Sequence, residues 1–261
     1  MSPLLPVPRG CTRLVACLMS ALALGTGCGS KAKLLRPVST IDYPTFRSAP
    51  LGVGGMTTII GPKESRAEGR EARSSNLERM MISERGDLVV IPVGRVRSLL
   101  GDEEHDALLD RFESHGELDA RSIAQADSAL GSQIRFLLLG RIENESVSHD
   151  ESESDPDNDS NTDNSDRKLK TTLSVRAGFH VYDLQTRHMV WSGAVVNSAS
   201  NEAKRARDSE SGGSGFWGFM STLVNVLDDD DDKYPPPPEV DEVLPGIFDA
   251  LCEGLPKPPK S

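Results

Sequence analysis

Residues Leu169 to Asp183 alternate in polarity with a period of two, and no other stretch limits the fold as tightly. Leu173, Val175, Ala177, Phe179 and Val181 fall on one side, and Ser174, Arg176, His180 and Tyr182 on the other. Successive side chains of a strand point to opposite faces, so this is an antiparallel strand with one buried and one wet face. Leu184-Gln-Thr-Arg187 reads as a turn, and His188 to Val196, which carries Trp191, returns as the partner strand.

Other segments supply the rest of a sheet and its cover. Leu51 to Ile60 reads as a first strand and Glu64 to Glu84 as a charged helix. Asp87 to Val93 is a short apolar run of the kind found in a strand covered on both faces, ended by Pro92. Two helices follow, one from Asp102 closed by Gly116, the other capped by Asp119 and stopped by Gly131. Gln133 to Val147 holds Phe136-Leu-Leu-Leu139, a second buried strand. Near the C-terminus Val240, Val243, Leu244, Ile247, Phe248 and Leu251 share a helical face, with Pro245 as a kink or a new start. The expected fold is α/β (α+β), with a single mixed sheet of about four to five strands, packed helices and a C-terminal helix. Its domain spans 51–200 with a disordered acidic insert at 148–167. Further on come a linker at 201–215, an amphipathic helix at 216–227, an acidic and proline-rich linker at 228–238, and the C-terminal helix and tail at 239–261.

The N-terminus carries an address. Arg9 and Arg13 precede Leu14 to Leu24, an apolar run too short to span a bilayer, and Thr26-Gly27-Cys28 follows. This resembles a bacterial lipoprotein signal peptide ending in its lipobox, with Gly25 where the family usually has leucine. The resemblance implies that residues 1–27 are removed and that Cys28 is acylated, with 28–50 a membrane tether. An ordinary secretory signal cleaved near Gly27, or a short buried helix, is the alternative. No Asp follows the cysteine, which resembles the sorting rule for the outer membrane, so the expected location is the bacterial outer membrane, lipid-anchored and facing the periplasm. Cys11 and Cys17 leave with the leader and Cys28 becomes a thioether. Cys252 is then the last thiol, and a disulfide scaffold is excluded.

Charge narrows the partners. The net charge of −11 becomes −13 when Arg9 and Arg13 are lost, and the basic clusters are short, which argues against nucleic acid. Lys31, Lys33 and Arg36 lie close to Cys28 and so near anionic headgroups.

Reactive chemistry is sparse. Asp155, Asp157, Asp159, Asn161, Asp163 and Asp166 fall on positions 1, 3, 5, 7, 9 and 12 of a calcium-loop template. Ser160 replaces the glycine and Asp166 the longer bidentate glutamate, so a solvated acidic loop is the simpler reading and a Ca²⁺ site the rival. No HExxH, GxSxG or P-loop spacing occurs, and the histidines sit in polar helical, loop or hairpin sequence. Cys252 reads as a small hydrophobe at the core's edge. Phe216, Phe219, Met220, Leu223, Val224 and Leu227 form a helical stripe that packs on the sheet or, alternatively, covers a membrane or a partner's groove.

Two segments point to kinship. Leu137-Leu-Leu-Gly-Arg-Ile142 and Val181-Tyr-Asp-Leu-Gln-Thr-Arg-His-Met-Val-Trp-Ser192 resemble a periplasmic α/β domain. That domain occurs in the curli secretion lipoprotein, the lipoprotein activators of peptidoglycan synthases and the N-terminal part of the Tol-system propeller protein. The resemblance covers about residues 51 to 198 and implies no catalytic residues and no cofactor. The expected role is a non-enzymatic accessory or interaction component of the envelope, with an envelope protein as partner. The alternative is a calcium-responsive binding module using residues 155–166.

Overall fold

The computed structural model describes residues 30–153, 167–205 and 234–259. In chain order these form β1 (Ser30–Ser39), α1 (Tyr43–Arg47), β2 (Leu51–Thr58), α2 (Lys63–Glu84), β3 (Val90–Ile91), α3 (Val93–Leu100) and α4 (Asp102–His115). They continue with α5 (Ala120–Leu130), β4 (Phe136–Glu153), β5 (Arg167–Asp183), β6 (His188–Arg205) and α6 (Val240–Gly254). One mixed sheet runs β1-β6-β5-β4-β2-β3. The two pairings of β2 are parallel and the others antiparallel.

The sheet therefore has six strands rather than four to five, and the strand not expected is β1, at one edge. The stretch expected to be a membrane tether is instead ordered, with β1 lying along β6 and pairing Leu34 with Val195 and Leu35 with Ala194. Its sequence hides this because two register irregularities break the alternation, and Arg36 takes a φ of 43° at one of them. At the other edge, the strand expected over Asp87 to Val93 shrinks to two residues, and Val89 is exposed rather than covered. Pro92 ends it by becoming the N-cap of α3, a helix absent from the sequence reading.

β4, β5 and β6 keep pairing well past the core. Glu151 lies opposite Leu169, and Leu169 opposite Ala203, so parts of the expected insert and of the expected linker are strand. Tyr234 and the following prolines cross this arm, with the Tyr234 ring 4.6 Å from that of His149 and Asn201 Nδ2 donating to the Pro236 carbonyl.

Two apolar layers hold the sheet. On one face Leu173, Val175, Phe179 and Val181, the expected inward set, meet α6 through Ile247, Phe248 and Leu251. Each such side chain contributes about 1.5–3 kcal/mol on burial. β6 pins the same helix, since Trp191 Nε1 donates to the Gly254 carbonyl and Asn197 Nδ2 to that of Val243. The helix continues through Pro245 without a break. On the opposite face Val96, Leu109, Phe112 and Ile123, from α3, α4 and α5, pack on Leu137, Leu139 and Tyr182. The face of β5 expected to be wet is thus dry at Tyr182, whose hydroxyl accepts from the Leu118 amide at 2.9 Å and whose pKa burial pushes up.

Candidate functional site

Cys28, the calcium-template residues Asp155 to Asp166, and the stripe from Phe216 to Leu227 lie outside the described residues. Among the described residues, no group of three or more His, Cys, Asp or Glu is placed to hold a metal ion. Cys252 is buried 3.6 Å from the Met81 sulfur, and desolvation pushes its thiol up to about 12, which suits a core residue rather than a nucleophile.

The titratable groups that the structure gathers are those of α2 and α4. In β2 the residue Gly54 bulges out of the ladder with β4, and β3 has already ended, so the edge of β2 is bare under two helices. Buried backbone groups need partners, and side chains supply them: His105 Nε2 donates to the Gly54 carbonyl at 2.8 Å, and the Met56 amide donates to Ser74 Oγ at 2.9 Å. Beside this, Glu113 accepts from Arg66 at 2.8 Å and from Arg70 at 3.0 Å, while Arg141 donates to its carbonyl. Arg70 also reaches Asp110. A cleft of about 550 Å³ opens between α2, α3 and α4, with Lys63, Arg70, Glu71, Arg97, Asp106 and Asp110 around it. Several of its polar groups serve the fold: His105 holds the strand edge, Arg70 pairs with Glu113 and Asp110, and Glu78 accepts from the Val93 amide at the start of α3. Sequence reasoning missed this cluster, although Arg66, Arg70 and Arg73 recur at helical spacing.

His180, expected on a solvent face, is half-buried instead. Its ring sits 5.6 Å from that of Phe112, the Tyr182 hydroxyl lies 3.2 Å from its Nδ1, and burial lowers its pKa. His188 is exposed beside the hairpin turn. Asp183, the buried carboxylate opposite His188 in the ladder, pairs with Arg135 at 2.9 Å and accepts from the Gln185 amide rather than from an imidazole.

The β1 edge is the second notable surface. It ends the sheet order, so one side of its backbone has no strand partner among the described residues. Lys31, Lys33, Arg36 and Val38 are all exposed, and no acid occurs from Ser30 to Ile41. A groove of about 740 Å³ adjoins it, where Lys33 and Arg36 meet Arg176, Glu143 and His180. Arg176 Nε and Glu143 Oε2 pair at 3.0 Å. On the other side of the same strands, α6 presents Asp241, Glu242, Asp249 and Glu253 and has no basic residue. The β1 edge is thus locally basic in a chain of net charge −11.

No protein-family model matches the chain. No curated protein matches it either. Similar solved structures include the lipoprotein GNA1162 from Neisseria meningitidis, at 15% identity and a TM-score of 0.31 over 69% of this chain and 97% of that one. The LpoB C-terminal domain from Salmonella enterica is similar at 10% identity and a TM-score of 0.29, over 61% of this chain and 83% of that one. A PelC dodecamer subunit from Paraburkholderia phytofirmans is similar at 12% and 0.30, over 64% and 81%.

Proposed function

We propose that this chain is a lipid-anchored, non-enzymatic accessory protein of the bacterial envelope, held on the periplasmic side of the outer membrane by acylated Cys28, where it binds another envelope protein. The observation that carries the reading is the leader that ends in Thr26-Gly27-Cys28, two residues before the ordered domain begins at Ser30. Two or three acyl chains, each CH₂ worth about 0.8 kcal/mol, make such an anchor effectively permanent. The engagement of His105, Glu113 and Cys252 in packing and strand-edge contacts supports a binding role over a catalytic one.

Radiolabelled palmitate uptake by the wild-type chain and by Cys28→Ala tests the anchor, with label expected in the former only. Equal labelling refutes it. In-cell crosslinking followed by mass spectrometry tests the partner, with one envelope protein expected to recur. The cleft between α2, α3 and α4 is the surface where its crosslinks are expected.

A further inference from the structure

We infer that the β1 edge of the sheet rests on the anionic phospholipid headgroups of the membrane that holds Cys28, with the strands lying along the bilayer plane. The inference rests on the anchor proposed above and adds the orientation of the domain.

The geometry follows from the register. Cys28 stands two residues before Ser30, a reach of about 7 Å at full extension. Ser30 is not at an end of the sheet, because it pairs with Ser198 midway along β6. Past that row β6 runs on to Arg205, seven residues or roughly 24 Å, still paired with β5 and through it with β4. An upright domain with this arm downward would drive Asp150, Lys168, Lys170 and Glu202 well below the headgroups, where charges are strongly disfavoured. An upright domain with the arm upward would need the anchor to reach the Ser39 end, roughly 30 Å from Ser30. Neither end of the sheet can therefore face the bilayer.

On one face α6 packs against β1, β6 and β5 and covers them. On the other, α3, α4 and α5 stand over β2, β4 and the Tyr182 end of β5, and the groove beside β1 that Lys33, Arg36 and Arg176 line stays open. α6 is also acidic on its exposed side. The β1 edge and the groove beside it are the basic part of this surface: Lys31, Lys33 and Arg36 complement anionic headgroups, with Arg176 behind them, and Asp42 is the first acid met along the chain. Headgroups also give the bare amides and carbonyls of an edge strand hydrogen-bond partners, which removes a template for aggregation. The sheet order then becomes a height axis. β1 lies at the membrane, and β3 with the cleft of α2, α3 and α4 lies roughly 24 Å above it, facing the periplasm.

Val38 on β1 and Val89 beside β3 are matched probes on opposite edges, 59% and 58% exposed. Val38→Cys and Val89→Cys are made in the full chain, purified in lipidated form and reconstituted in phosphatidylethanolamine–phosphatidylglycerol vesicles. Labelling by a membrane-impermeant maleimide is then timed. Acylated Cys28 is blocked and buried Cys252 does not react in a folded chain, so its silence also reports folding. The expected result is labelling of Val38→Cys slowed about tenfold relative to the same variant made from residue 29 onward, without leader or anchor and free in solution, with Val89→Cys changed less than about twofold. Each cation near the surface is worth about fivefold in occupancy, so Lys33→Glu with Arg36→Glu should return most of the rate.

A chain that floats with the vesicles while both edges label alike overturns the docking and leaves the anchor standing. A chain that does not float overturns the anchor and the docking together. Slow labelling of Val38→Cys in the unanchored protein as well would assign the edge to a second copy of the chain and overturn the inference.

Discussion

Replacing His105 by Leu tests whether helix side chains close the bare edge of β2. Leucine keeps most of the volume but removes the Nε2–H that reaches the Gly54 carbonyl at 2.8 Å, at a site where His105 is only 3% exposed. A buried acceptor left without a partner costs about 1–3 kcal/mol. For a domain of this size that is a fall of about 4–8 °C in Tm at the middle of the range. Gln carries an N–H at a similar reach, so His105→Gln should recover more than half of the loss.

The same pair of variants reads out protonation. Burial holds both His105 and His180 below the ordinary imidazole range. Below about pH 6.5 the unfolded chain takes up protons that the native state refuses, so stability falls with pH until the native imidazoles also protonate. Each such histidine contributes a slope of up to about 1.4 kcal/mol per pH unit within that window. His105→Gln removes one of the two contributions and should flatten the acid limb, measured by urea unfolding between pH 7 and pH 5. A Tm for His105→Leu within about 1 °C of wild type, or an unchanged acid slope in His105→Gln, would refute the reasoning.

Three further outcomes are expected. Arg187 closes the hairpin turn at a φ of 60°, a conformation that costs a non-glycine residue about 1 kcal/mol, and its partner Asp127 at 2.9 Å returns less than that because the arginine is exposed. Arg187→Gly should therefore raise the urea midpoint slightly, and a lower midpoint would show that the ion pair dominates. Phe248, 1% exposed and 6.4 Å from the Phe179 ring, anchors α6, so Phe248→Ala should cost about 3–5 kcal/mol by calorimetry. A loss under about 1 kcal/mol would mean that α6 contributes little to the core. Calorimetric titration of the whole chain with Ca²⁺ to millimolar concentration should give no heat, and a saturable signal abolished by Asp155→Asn with Asp166→Asn would instead favour a calcium-responsive loop at 155–166.

Where local chemistry settled an element, the sequence predicted it closely. Asp119 caps α5 by accepting from the Ser122 amide at 2.7 Å, and Gly116 closes α4 at a φ of 80°. The hairpin of β5 and β6 turns at Leu184 to Arg187 because the Asp183 carboxylate accepts from the Gln185 amide and the Asp183 carbonyl from the Arg187 amide. Elements without such signals were missed. α1 has five residues and α3 eight, too few for a helical period to emerge. The six-residue chemistry of the α2 and α4 cluster was invisible because Glu113 and Arg66 are neighbours only once the helices pack.

From its sequence alone come the expectation of a leader, the candidate anchor at Cys28 and the inward set of β5. Each of these depends on residues close together in the chain. The tertiary structure decided which strands became edges and where the wet face of β5 turned dry. β1 pairs with a strand about 160 residues away, and no local period encodes that register. The same pairing makes strand of most of the stretch 30–39, which the sequence alone reads as part of a tether.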